Sequence, residues 1–190
     1  SSILTILGTG EQAHHHALAI SKIRWLDEIR IWGRTPDKAR ALANAIQSET
    51  RIPTTAEERV ENAARDADII CTVTGAFDPI LTADMVAPGT HLNIVGSSFD
   101  GPREIDDALV SGARFFADSK PSVAAQGSEY RHALASGAIR EDHMLGEIGE
   151  VALGTLAGRT SDADITIYKS LGHIVQDIAA AAHIQAKSKG

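Results

Sequence analysis

The sequence predicts an α/β protein in which a doubly wound parallel sheet carries helices on both faces and one long helix closes the chain. Short apolar, β-branched runs alternate with stretches of helical periodicity over most of the length, the pattern of repeated strand-helix-strand units. A glycine-rich turn, Gly8-Thr9-Gly10-Glu11-Gln12-Ala13, joins the first run to the first helical stretch, and the final segment from Ser170 is a single alanine-rich helix.

Ile3-Leu4-Thr5-Ile6-Leu7 is short, largely apolar and stopped by Gly8, which suits a strand buried on both faces. Residues 11–23 read as a helix and Glu28-Ile29-Arg30-Ile31-Trp32 as a second strand. Pro36 suits the first turn of the next helix, whose Ala39, Leu42, Ala43 and Ile46 recur at helical spacing. A short helix is expected over 56–64, then a strand in Asp68-Ile69-Ile70-Cys71-Thr72-Val73 closed by Thr74-Gly75. A helical turn at 82–86, a strand in His91-Leu92-Asn93-Ile94-Val95 ended by Gly96, a helix at 106–111 and a strand in Arg114-Phe115-Phe116-Ala117 continue the alternation. After Asp118 the pattern loosens: 128–135 reads as helix, 146–158 is punctuated by glycines, and 164–168 adds a last strand. In the helix 170–187 the apolar positions Leu171, Ile174, Val175, Ile178, Ala179, Ala182 and Ile184 run nearly all round, so it requires a partner surface, expected from outside this chain.

The chain has 190 residues, enough for one sizeable core, with 43% hydrophobic and 23% charged residues as in an ordinary globular domain. Net charge is -7 and no Lys/Arg cluster is present to neutralise a polymer's phosphates, so nucleic acid is excluded as a partner. Cys71 is the only cysteine, which rules out an internal disulfide and a thiolate-rich metal site and suits a reducing compartment. No apolar stretch approaches the roughly 20 residues of a membrane span, and no signal peptide is recognised. A cytoplasmic protein is expected. The chain enters its first strand directly from Ser1-Ser2 without a methionine, which suggests a piece of a longer protein.

The glycine turn matches the G-x-G-x-x-G/A dinucleotide fingerprint, and it stands between a strand and a helix, where that pattern has physical meaning. Gly8 allows the tight turn, Gly10 lets the backbone approach a pyrophosphate, and Ala13 keeps the helix close to the strand. The free N–H groups of the helix start, over Thr9, Glu11 and Gln12, face the anion. A Rossmann-type domain binding a nicotinamide dinucleotide follows. An NAD-preferring site places Asp or Glu at the end of the second strand, whereas here the chain reads Trp32-Gly33-Arg34-Thr35. Arg34 can pair with a 2′-phosphate, Thr35 can donate its hydroxyl and Lys38 adds charge one turn on. NADP(H) is therefore expected as the preferred cofactor, with NAD(H) possible. Thr74 and Gly75 should border it, because ligands sit at the C-terminal edge of such sheets.

His14-His15-His16 does not make a metal site, since consecutive helical residues point about 100° apart. No metal is expected. Glu147 and Glu150 could be paired for acid/base work, but acidic residues also suit a helix start, and the structural role is the better reading.

Several segments together resemble the nucleotide-binding domain of the ornithine cyclodeaminase/mu-crystallin family. Beside the glycine turn and Trp32-Gly33-Arg34-Thr35 these are Asn93-Ile94-Val95-Gly96-Ser97-Ser98, Arg103-Glu104-Ile105-Asp106 and Gly146-Glu147-Ile148-Gly149-Glu150-Val151. They continue with Gly154, Gly158-Arg159 and Thr166-Ile167-Tyr168-Lys169-Ser170-Leu171-Gly172 leading into Val175-Gln176-Asp177. The resemblance implies a dimeric, two-domain enzyme whose N-terminal segment, bearing the family's substrate-carboxylate Arg and catalytic Lys, is not in this chain. It implies a dinucleotide domain over 1–163, with 164–190 supplying the last strand and a helix that packs on the absent substrate and dimerisation domain. By the same resemblance Ser170 joins the cofactor contacts, with Val95 beside it; Lys169 reads as a structural or cofactor-loop residue rather than a Schiff-base lysine. Where cyclodeaminases of the family carry an Asp at the reacting amine, this chain has Ser98, a neutral hydroxyl that cannot take up a proton as a carboxylate does. Ser98 is thus the candidate catalytic position, Asp100 lies displaced by two, and the expected activity is reduction of a small cyclic imino acid by a homodimer of the full-length protein. Two alternatives stay open: an ornithine cyclodeaminase releasing ammonia to give proline, and a nucleotide-binding protein without turnover.

Overall fold

A computed structural model describes residues 2–96, 99 and 101–188. Eight parallel strands form one sheet in the order β3-β2-β1-β4-β5-β8-β6-β7. The first four are β1 (Ile3–Leu7), β2 (Glu28–Trp32), β3 (Thr54–Glu57) and β4 (Ile69–Thr72). The second four are β5 (His91–Ile94), β6 (Arg114–Ala117), β7 (Met144–Glu147) and β8 (Thr166–Lys169). Strand order reverses between β1 and β4, which lie side by side in the middle of the sheet, and a crevice opens there above their C-terminal ends.

Helices α1 (Glu11–Ile23) and α2 (Pro36–Thr50) cover one face. The other is covered by α3 (Val60–Ala64), α4 (Asp107–Gly112), α5 (Lys120–Gln126) and α6 (Ser128–Ala135). Alternation along the strands feeds both layers: Leu4, Ile6, Ile69 and Cys71 pack under α1 and α2, while Leu7 and Ile70 join Leu92, Ile94, Val110 and Phe115 opposite. Side chains of this size each contribute about 1.5–3 kcal/mol when taken out of water, so the two apolar layers hold the sheet edge that carries the cleft.

Three elements differ from the sequence reading. Residues 54–57 form the edge strand β3, which takes the first two positions of the helix expected at 56–64, and only Val60–Ala64 is helical. Thr54 and Thr55 are β-branched, and Arg51 in the left-handed region ends α2 abruptly before Pro53, so the chain is extended when it reaches β2. Gly146 lies inside a strand, β7, followed by the short helix α7 (Ile148–Ala152). Residues 120–126 form α5, and its C-terminal neighbour Gly127 admits the close return of the chain, because a Cβ there would stand 2.7 Å from the Val123 carbonyl oxygen.

β8 is last in sequence but interior in the sheet, between β5 and β6. The expected division at 163/164 therefore falls just ahead of a strand that the sheet itself needs. What stands apart is α8 (Ile174–Ser188), which buries no residue and exposes Ile174, Val175, Ile178 and Ile184. Among the described residues no helix is long and apolar enough to cross a membrane.

Candidate functional site

Two adjoining cavities, of about 250 and about 610 Å³, share Val73, Thr74 and Gly75 and make one cleft along the C-terminal ends of β1, β2, β4, β5 and β8. The glycine turn forms its floor. Gly8 has φ +144°, and a Cβ there would stand 2.7 Å from Val73 Cγ2 and 2.8 Å from the Val73 carbonyl oxygen. Its N–H donates to the Trp32 carbonyl at 2.8 Å, tying β1 to β2. Gly10 caps α1 with no side chain accepting from the helix start, and a Cβ built on it meets nothing within 4 Å. The first-turn N–H groups thus face open space, and the turn can cradle a diphosphate. Ala13 is buried under the sheet, Gln12 lines the larger cavity and Glu11 is exposed.

At the β2 end, Thr9, Gly33, Arg34, Thr35 and Lys38 line the smaller cavity. A side chain at Gly33 would collide with Thr9 Cγ2, 2.4 Å from its Cβ position. Arg34, Thr35 and Lys38 are exposed, and the two cations have no hydrogen bond or ion pair within the described residues. Among the described residues no carboxylate lines this cavity. An anionic group placed here would meet uncommitted positive charge.

The other end is built differently. Val95, Gly96, Ser170, Leu171, Gly172 and Gln176 line it, with Gln12 and His16 from α1. Behind this wall lies Glu104, wholly out of solvent. Its carboxylate accepts from Thr72 Oγ1 at 2.7 Å, Thr74 N at 2.6 Å, Thr74 Oγ1 at 2.7 Å and Gly96 N at 2.8 Å. Burial lifts this carboxyl above the usual carboxylate value, against hydrogen bonds from Thr72, Thr74 and Gly96 that favour the charged form. The Glu104 N–H in turn donates to Glu129 Oε1 at 3.2 Å, and Glu129 Oε2 stands 2.9 Å from Lys169 Nζ, with both side chains fully buried. Lys169 immediately precedes Ser170, so this network connects three separate segments under one wall of the cleft. Gly96 is fixed by it, since a Cβ would lie 2.0 Å from the Thr74 carbonyl oxygen and 2.5 Å from Glu104 Oε1.

All the expected cofactor residues except Glu11 and Ala13 line one or both cavities. Ser98 and Asp100 lie outside the described residues. Glu147 and Glu150 form the capping box of α7, with Glu147 N–H donating to Glu150 Oε2 at 2.8 Å. The histidines diverge: His14 Nε2 meets Glu49 at 2.8 Å and His16 Nδ1 meets the Gln12 carbonyl at 2.8 Å. Among the described residues no group of three or more His, Cys, Asp or Glu can hold a metal. Cys71 is buried, its thiol pushed up to about 12 by desolvation, so it is no nucleophile. Sequence reasoning missed the buried Glu104–Glu129–Lys169 network. Arg103-Glu104-Ile105-Asp106 contributed only to a likeness, and nothing in a lone Glu or Lys tells that folding will bury it.

The chain matches the model of the ornithine cyclodeaminase/mu-crystallin family over residues 1–190. It is 35% identical over 181 residues to ketimine reductase mu-crystallin of Rattus norvegicus, covering 95% of this chain and 54% of that protein. Among solved structures, the iminosuccinate reductase of Paracoccus denitrificans in complex with NAD+ superposes with a TM-score of 0.90 at 32% identity, covering 100% of this chain and 58% of that one. The Δ1-pyrroline-2-carboxylate reductase of Thermococcus litoralis, in complex with NADH and L-proline, gives 0.88 at 28% identity, covering 90% of this chain and 53% of that one. The chain spans about half the length of the curated relatives it matches.

Proposed function

The chain belongs to the ornithine cyclodeaminase/mu-crystallin family, and from that premise we propose that it is the cofactor domain of an imino acid reductase that uses a nicotinamide dinucleotide, with NADP(H) preferred. The observation that carries the proposal is the continuous cleft, with its open glycine turn between an uncommitted cationic end and an end whose described lining is His16 and uncharged residues. Relatives named ketimine, Δ1-pyrroline-2-carboxylate and iminosuccinate reductases support the reaction class.

In this reading the turn over Gly8, Thr9, Gly10, Glu11, Gln12 and Ala13 binds the diphosphate, and Gly33, Arg34, Thr35 and Lys38 receive the adenosine with its 2′-phosphate. Thr74, Gly75, Val95 and Ser170 border the nicotinamide, and Ser98 stands at the reacting centre. The bound dinucleotide supplies the hydride; the protein supplies position and charge. The exposed apolar face of α8 belongs against a substrate and dimerisation segment outside these residues, in a cytoplasmic homodimer.

Calorimetric titration with NADPH and NADH, followed by assays with cyclic imino acids, tests the reading. Tighter NADPH binding and NADPH consumption with a cyclic imine are expected. Tighter NADH binding would remove the role given to Arg34 and Lys38, and redox-neutral ammonia release from ornithine would replace the reductase with a lyase.

A further inference from the structure

The larger cavity is walled by the turns after β4 and β5, the β8–α8 connection, the start of α8 and α1, and of the described residues lining it His16 alone has an ionisable side chain. Reduction of an imine adds a hydride to carbon and a proton to nitrogen, so a proton source within reach of the nitrogen is required. His16 sits on the second turn of α1, partly exposed, with its Nδ1 2.8 Å from the Gln12 carbonyl oxygen. A carbonyl only accepts, so Nδ1 carries a hydrogen and Nε2 is the nitrogen that gains and loses the exchangeable proton. The bond to its own helix also fixes the ring while leaving Nε2 uncommitted within the described residues.

We propose that His16 is a catalytic residue for the reductase described above, delivering the proton to the substrate's imine nitrogen. The Nε2–H bond breaks and an N–H bond forms on the substrate as the imine carbon takes the hydride from the reduced nicotinamide. The imidazolium becomes neutral imidazole and regains its proton from water. This assignment rests on the nicotinamide occupying the β5–β8 end of the cleft.

Charged groups around the cavity stand behind its walls. Glu104 lies behind Thr74 and Gly96, and Asp118 Oδ2 accepts from Leu171 N and Gly172 N at 2.7 and 2.8 Å. Tyr168 belongs to β8, His173 to the β8–α8 connection and Asp177 to α8, and none of them lines the cavity. On α1 itself His14 is turned to Glu49, with His15 and Glu11 outside the lining.

The test uses the whole protein and His16→Gln, a substitution on a partly exposed helical position by a good helix former. Cofactor affinity should stay within about twofold of the parent, while kcat/KM for a cyclic imine falls about 100-fold at neutral pH, the usual worth of one general acid. The kcat/KM of the parent should decline at alkaline pH as the acid form is lost, and that decline should disappear in the variant. A variant that keeps both the rate and the decline overturns the proposal, since the decline then belongs to the substrate's own nitrogen. A second measurement needs no variant activity. In protein with 13C-labelled histidine and bound oxidised cofactor, adding L-proline should perturb the His16 ring resonances, which are identified by their loss in His16→Gln. Unperturbed His16 resonances with L-proline bound likewise overturn the assignment. A parent that binds neither NADPH nor NADH removes the cleft reading itself and this proposal with it, whereas binding with unchanged profiles removes only His16.

Discussion

At the β2 end of the cleft the polar groups lie on the surface: Arg34, Thr35 and Lys38 are exposed and the two cations bond to no other described side chain. At the β5–β8 end a charged set lies beneath the lining instead, in Glu104, Glu129 and Lys169, each fully buried and bonded to the backbone or to one another. Exposed, uncommitted groups contribute almost nothing to folding, so they can be exchanged to suit one cofactor or another. Buried ones are part of the fold, because each must keep its partners or face a desolvation cost. Cofactor choice and chain stability are thus separable at one end and coupled at the other.

Replacing Gly96 by alanine is the strongest test of that coupling. Its Cβ would be forced to within 2.0 Å of the Thr74 carbonyl oxygen, and the atoms that must yield are backbone and a buried carboxylate. A cost of about 3 kcal/mol or more is expected, read in thermal unfolding as a melting point roughly 10 °C lower, together with loss of measurable dinucleotide binding. A variant melting with the parent would mean that the wall relaxes freely and that the coupling is illusory.

Glu104→Gln comes next. Oε1 and Oε2 each receive a backbone N–H, from Thr74 and Gly96 respectively. A Gln amide offers one oxygen, so one of these N–H groups would face another donor. Stability should fall by about 1–3 kcal/mol, and dinucleotide affinity should fall with it, since Thr74 and Gly96 line the cleft. Unaltered affinity in a destabilised protein would separate the buried network from the site.

The same contrast explains what could be read from the sequence. The glycine turn and the placement of Arg34, Thr35 and Lys38 beside it were legible because they are local: a strand, a turn and the start of a helix fix them within a few residues. β1, β2, β4 and β5 were legible because they are interior strands with apolar runs. β3 was not, because Thr54-Thr55-Ala56-Glu57 is a largely polar edge strand that pairs only with β2. Gly146 read as a breaker, yet it lies inside β7, where a Cβ would stand 2.3 Å from Leu156 Cδ2. The Glu104–Glu129–Lys169 network could not be read at all, since only the meeting of three distant segments decides that these charges are buried together.

The smallest effects are expected at the exposed end, and they concern binding alone. If the proposed NADPH site is right, removing the Arg34 guanidinium would take away a charge-assisted contact to the 2′-phosphate worth about 1.5–3 kcal/mol. Arg34→Ala should therefore weaken NADPH roughly 10- to 100-fold while leaving NADH within about twofold and the melting point within about 1 °C, as for other exposed substitutions. Lys38, one helical turn on and equally uncommitted, acts as a point charge through solvent, so Lys38→Ala should weaken NADPH by only about fivefold, or less than 1 kcal/mol. Isothermal titration at two salt concentrations distinguishes the two residues. The Lys38 contribution should shrink as salt rises because it is screened, whereas the Arg34 contribution, set by bidentate geometry, should persist. If both variants instead lowered the melting point by several degrees, these cations would belong to the fold after all, and the division between the two ends of the cleft would not hold.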